Sequence, residues 1–107
     1  MSTRSIVAFT FANDILEEAR DIAKKFNENE LLSEKYLVKK DDEATLFYLE
    51  DICFYDMGSN KFYSEITDFV SINSDKCFII ELDDEVTEWG EYNHFNTESI
   101  KTISWDE

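Results

Sequence analysis

Two stretches of this chain carry apolar residues at helical spacing, and they constrain its fold more than any other feature. In the first, apolar side chains recur at intervals of three and four residues: Ile15, Leu16, Ala19, Ile22, Ala23 and Phe26. The second repeats the pattern with Phe62, Ile66, Phe69 and Val70. Such spacing gives a helix one apolar face, so it predicts two amphipathic helices. We expect polar caps at the start of each, Asn13 or Asp14 in the first and Ser59 or Asn60 in the second.

Six short runs rich in β-branched and aromatic residues predict strands. They span residues 4–11, 35–40, 44–50, 77–82, 86–92 and 99–105. With the helices they give the order β-α-β-β-α-β-β-β, whose first six elements match the split βαβ, ferredoxin-like order. We therefore predict an α+β fold, a small antiparallel sheet with both helices packed on one face and the other face free to meet a partner. Other α+β layouts of the same elements stay open.

Composition favours a single acidic domain over residues 1–107. The chain has no proline, only two glycines and no Gly/Ser-rich linker, so no domain boundary is visible. Hydrophobic residues make up 43% of it and aromatic residues 15%, which argues against disorder despite the high charge. Its two cysteines, Cys53 and Cys77, lie in apolar runs and are expected to be buried thiols.

The formal net charge of −15 is distributed unevenly. Residues 1–40 contain seven basic and seven acidic side chains, whereas residues 41–107 contain three basic and eighteen acidic ones. A field of this sign repels nucleic acids and anionic lipids, and it attracts basic proteins. We therefore expect a basic protein as the partner, with no direct nucleic-acid binding and no membrane binding.

The acids are densest in residues 77–92, where an apolar run passes straight into carboxylates. If Asp84 and Glu85 form a two-residue hairpin loop, Glu81 faces Glu88 across the two strands. Like charges directly opposite each other destabilise a sheet. Either the register differs, or the cost is tolerated because this surface binds something.

The same register sorts the hairpin side chains into two faces. The core face would carry Phe78, Ile80, Leu82 and Trp89. The acidic face would carry Glu81, Asp83 and Glu88. Carboxylates ~6.6 Å apart along a strand and ~4.8 Å apart between strands resemble the phosphate density of a nucleic acid. Because aromatic anchors ringed by charge are typical of binding hot spots, the predicted partner-binding residues are Glu81, Asp83, Asp84, Glu85, Glu88, Trp89, Glu91 and Tyr92.

No pattern for catalysis, a cofactor or a metal stands out. Phosphate-binding loops need several glycines, and glycine occurs only at positions 58 and 90. One histidine and two distant cysteines cannot supply the four ligands of a structural zinc site. His94 is the only histidine available to activate a cysteine, and both cysteines lie where burial would raise a thiol's pKa. The acids of residues 81–88 lack the EF-hand spacing. We predict a protein that is not an enzyme and needs no cofactor or metal.

These features together favour an inhibitor that presents carboxylates to the basic groove of a nucleic-acid-handling protein. In size and composition the chain resembles the DNA-mimic proteins with which phages block restriction or CRISPR systems. Immunity proteins that block nuclease toxins share this profile and are the alternative. A further alternative is a non-catalytic interaction domain with a solvated acidic face.

The expected location is the cytoplasm, which would be that of the host cell if a phage encodes the chain. No apolar run approaches the ~20 residues of a membrane helix. The first residues also lack the features of a signal peptide.

Overall fold

A computed structural model describes residues 5–57 and 59–97. In these ranges the chain forms one antiparallel sheet of five strands and two helices, which confirms the predicted α+β class. The elements in chain order are β1 (Ser5–Ala12), α1 (Leu16–Lys25), β2 (Leu37–Lys40), β3 (Ala44–Ile52), α2 (Lys61–Ile72), β4 (Cys77–Leu82) and β5 (Val86–Gly90). The strand predicted at residues 99–105 lies outside the described residues.

The strands lie in the order β2-β3-β1-β4-β5. Strand β3 is inserted between β1 and β2, the two strands that α1 connects. Strand β1 is likewise inserted between β3 and β4, which α2 connects. Each βαβ unit therefore holds a strand of the other, which is the predicted split βαβ order. Strand β5 extends the sheet beyond β4.

Both helices pack on one face of the sheet, as their apolar spacing predicts. Along β1 the side chains of Val7, Phe9 and Phe11 point to this face and are fully buried. The helices bury apolar side chains against them, namely Leu16, Ala19, Ala23, Phe62, Ile66 and Val70. The largest hydrophobic cluster therefore lies between the helices and the sheet.

The second face of the sheet is also apolar, but it is not the free surface that the sequence predicts. Its cluster consists of Ala8, Leu46, Phe78, Ile80 and Leu82, each at most 9% exposed. Phe95, from the segment that follows β5, packs against this cluster. Side chains this deeply buried offer little surface to a partner, so a binding surface has to be sought at the ends of the sheet.

The starts of the helices differ from the prediction because their asparagines are engaged elsewhere. Asn13 lies in a 3-10 turn before α1. Its Nδ2 donates to the Asp41 carbonyl at 3.0 Å, and its Oδ1 accepts from Thr45 Oγ1 at 2.7 Å. Asn60 precedes α2 with a left-handed φ of 74° and donates to the Tyr55 carbonyl at 2.8 Å. Neither α1 nor α2 has a side-chain cap at its start, so the alternative candidates Asp14 and Ser59 do not cap these helices either.

Two strands are shorter than predicted. Residues 34–36 form a 3-10 turn, in which Ser33 Oγ accepts from the Lys35 N–H, so β2 begins only at Leu37. Strand β5 ends at Gly90 instead of continuing to Tyr92.

Candidate functional site

The β4–β5 hairpin has a three-residue loop, so the predicted two-residue loop is wrong. Asp83 Oδ1 accepts a hydrogen bond from the Glu85 N–H at 2.9 Å and closes the loop over residues 83–85. Leu82 then faces Val86, and Glu81 faces Thr87. The repulsive pairing of Glu81 with Glu88 does not occur.

Glu81 points to the helix face, beside Val7 of β1, and is only 8% exposed. Its carboxylate accepts a hydrogen bond from Ser5 Oγ at 2.7 Å. Burial raises the pKa of Glu81, and the hydrogen bond from Ser5 opposes that shift. Glu88 pairs with Ile80 and so belongs to the opposite face. The predicted acidic face made of Glu81, Asp83 and Glu88 is therefore not formed.

Trp89 also lies on the helix face, opposite Ile79, instead of sharing a face with Ile80. Its ring meets Tyr63 edge to face at 5.8 Å between centroids, and Tyr63 meets Tyr55 at 4.9 Å. The fully buried ring of Phe54 contacts both Tyr63 and Trp89. We call Tyr55, Tyr63 and Trp89 the aromatic patch.

At the other end of the sheet, the loop of residues 41–43 is built around Asp41. Its Oδ1 accepts from the N–H groups of Glu43 and Ala44 at 2.8 and 2.9 Å, and its Oδ2 lies 2.7 Å from His94 Nε2. The bond to His94, followed by the two backbone bonds, lowers the pKa of Asp41 to about 2. Tyr92 stacks on the His94 ring at 5.5 Å. The segment after β5 is thereby tied to the β2–β3 loop.

Acids from separate parts of the chain surround Tyr92 at this end. An open depression of about 600 Å³ is lined by Ala12, Asn13, Asp14, Asp42, Glu43, Asp75, Lys76 and Tyr92, and we call it the acidic depression. Lys76 Nζ is paired with Asp14 at 3.0 Å. Burial raises the pKa of Tyr92, and the carboxylates of Glu43, Asp41 and Asp14 add to the shift. The depression thus has a negative field with an aromatic ring inside it.

The predicted partner-binding residues are split between the two ends of the sheet. Asp84 and Glu85 are exposed in the β4–β5 loop, where Asp83 is half-buried. Glu91 is exposed at the opposite end, where its N–H bonds to the Ser74 carbonyl at 2.8 Å, and Tyr92 follows it. These residues therefore do not share one face of the hairpin, and their part in binding stays a prediction.

Four acids, Asp14, Asp42, Glu43 and Asp75, make up half of the residues that line the acidic depression, and none of them is among the predicted partner-binding residues. The signal that could have found them is the hairpin turn at residues 41–43. In a split βαβ order, this turn lies at the sheet end where β1 finishes and β4 begins. Acids next to those two points, Asp14 and Asp75, must then come close to it.

Cys53 and Cys77 are not joined in a disulfide. Cys77 is fully buried and its Sγ lies 3.2 Å from the Asn73 carbonyl. Burial raises the pKa of Cys77 to about 12. Cys53 is only partly buried, so the prediction of a buried thiol holds for Cys77 alone.

Within residues 5–57 and 59–97, no three His, Cys, Asp or Glu side chains are placed to hold one metal ion. Neither helix of this part of the chain is long and apolar enough to cross a membrane. Comparisons with protein-family models, curated proteins and solved structures give no significant match.

Proposed function

We propose that this protein is an inhibitor that binds a basic, nucleic-acid-handling protein and occupies its nucleic-acid groove with carboxylates. The observation that carries the proposal is the acidic depression, where carboxylates from three chain segments converge beside Tyr92. Phage anti-defence against restriction or CRISPR nucleases is the setting we favour, and immunity to a nuclease toxin is the alternative.

The depression has the features that such a contact needs. Asp42, Glu43 and Asp75 are exposed, so each can meet a lysine or arginine of the partner. Charge-assisted hydrogen bonds of this kind are worth ~1.5–3 kcal/mol each when water is excluded, against ~0–1 kcal/mol at an open rim. The Tyr92 ring beside these acids offers an apolar surface that helps to exclude water once a partner covers the depression. The remaining negative charge speeds encounter with a basic partner.

The test is displacement of labelled duplex DNA from a restriction endonuclease, a CRISPR effector nuclease and a bacterial nuclease toxin. The wild-type protein should displace the DNA from at least one of them and slow its cleavage. The triple variant Asp42→Asn, Glu43→Gln, Asp75→Asn should then dissociate from that enzyme at least about tenfold faster, because local contacts are lost.

The matched control is Glu17→Gln, Asp21→Asn, Glu34→Gln, which removes the same charge from exposed positions outside the depression. This control should mainly slow association, since it weakens only long-range attraction. Displacement from none of the three enzymes, or equal small effects of the two triples, would count against the proposal.

A further inference from the structure

The aromatic patch is a feature of the surface that the acidic depression does not explain. Tyr55 is 62% exposed, although its ring contacts Tyr63 at 4.9 Å. Tyr63 and Trp89 are half-buried, and the fully buried Phe54 ring supports both. The rings are therefore held in fixed positions with one side open to solvent.

Tyr63 and Trp89 pack against the main core, but the exposed Tyr55 ring adds little to the stability of the isolated domain. A ring that is mostly in water contributes only a small part of the free energy that full burial would give. Tyrosine and tryptophan are, in contrast, the residues that most often anchor a protein interface, because they present a large rigid area at low cost in conformational entropy.

The charge beside the patch indicates what kind of group would bind. Glu81 lies opposite Thr87 and Ile79 lies opposite Trp89, so the acidic end of β4 adjoins the patch on the helix face. Burial raises the pKa of Tyr63, and the carboxylates of Glu81 and Asp83, together with Tyr55, add to this shift. The exposed acids Asp84 and Glu85 follow directly in the same loop. A cation at the patch can thus meet ring faces and a carboxylate at once.

Starting from the proposed function, we propose that the aromatic patch binds an arginine side chain of the basic partner. The planar guanidinium stacks on the exposed Tyr55 ring and donates hydrogen bonds to the Asp83 carboxylate. Arginine fits this site better than lysine, because only a planar group can stack on a ring and bond to a carboxylate in two places. The patch would then select the partner, while the acidic depression supplies attraction at the other end of the sheet.

The test uses fluorescein-labelled oligo-arginine and oligo-lysine peptides of equal length, with binding followed by fluorescence anisotropy at about 0.01 M salt, where exposed charges act over the longest range. The wild-type protein should bind oligo-arginine about three- to tenfold more tightly than oligo-lysine. Tyr55→Ala should remove this preference. Tyr55→Phe, which keeps the ring, should retain it. Asp83→Asn preserves the oxygen that accepts from Glu85 and should weaken the binding of both peptides.

The matched control is Ile72→Ala, since Ile72 is 82% exposed and lies at the end of α2, away from the patch. It should leave the preference unchanged. Equal affinity for the two peptides, or a preference that survives Tyr55→Ala, would overturn the arginine site while leaving the proposed inhibitor function standing. Failure of both peptides to bind even at low salt would overturn the arginine site and the attraction to basic partners together.

Discussion

The hydrogen bond from His94 lowers the pKa of Asp41, so this carboxyl stays ionised to a lower pH than usual. Asp41 receives three hydrogen bonds, and the one from His94 has the largest effect in lowering its pKa to about 2. Because this value lies below the ordinary 3.8, ionised Asp41 favours the folded state. This stabilisation of the folded state by Asp41 is fully present above pH 3.8 and is lost as the pH falls towards about 2.

We predict that His94→Ala raises the pKa of Asp41 towards 3.8 without reaching it, because the N–H groups of Glu43 and Ala44 still donate to its carboxylate. Carbon-13 NMR titration of the side-chain carboxyl measures the pKa directly. The control is Lys35→Ala, because Lys35 is paired with Glu30 and not with Asp41. This change should leave the pKa of Asp41 unaltered. A wild-type value retained in His94→Ala would show that the backbone bonds alone account for the shift.

Glu81 is the residue that sequence alone placed least well. Alternation along β4 does assign Glu81 to the face opposite Ile80, as observed. It cannot show that this face is the one the helices cover, nor that Ser5 supplies a hydrogen bond to a buried carboxylate. Only the order of the strands brings residues 76 positions apart into contact.

At the scale of elements, β5 depends on Gly90. This glycine is the last residue of β5 and has a φ of +81°, where L side chains are strained. A Cβ at this position would overlap the Cys77 carbonyl oxygen and lie 2.8 Å from Val70 Cγ1. Helix α2 and strand β5 can therefore approach this closely only with glycine here.

Gly90→Ala should accordingly lower the free energy of unfolding by at least about 2 kcal/mol, from backbone strain and the overlap with Cys77. Urea denaturation followed by circular dichroism gives the value. Thr87→Ala, on the exposed part of the same strand, should change it by only about 0.5 kcal/mol. Near-equal losses in the two variants would mean that α2 and β5 separate easily.

The elements themselves could be predicted from the sequence, whereas the hairpin register could not. Helical spacing located α2 because Phe62, Ile66 and Val70 all face the core. The register follows instead from a three-residue loop, in which the Glu85 N–H donates to the Asp83 carboxylate and the Asp83 N–H donates to the Glu85 carbonyl. A shift of one residue turns every side chain of a strand to the other face. For this reason Trp89 packs on the core beneath the helices, on the face opposite Ile80, whereas a two-residue loop predicts that Trp89 and Ile80 share a face.

At the scale of the molecule, the negative charge opposes folding as well as serving binding. The folded protein measures 34 × 30 × 25 Å. The screening length is ~30 Å at 0.01 M salt and ~8 Å at 0.15 M, so at low salt the two acidic ends of the sheet repel each other across the whole molecule. Most of this repulsion is screened at the higher salt concentration.

The melting temperature at pH 7 should therefore rise when sodium chloride is increased from about 0.01 to about 0.15 M. Differential scanning calorimetry measures the change. The control is the same increase in salt near the isoelectric point, at about pH 4.2, where the melting temperature should hardly change. An equal increase at both pH values would indicate a general salt effect unrelated to net charge.

The central position of β1 has a consequence for how the chain acquires its structure during synthesis. Its first residues pair with the last residues of β4, with Ile6 opposite Leu82. As the chain leaves the ribosome, β1 has no neighbour until β3 is made, and it keeps one open edge until β4 follows. Contacts between such distant parts of a chain form slowly, because a long loop must close first. The sheet is therefore completed late, and until residue 82 has emerged no strand of the chain covers the second edge of β1.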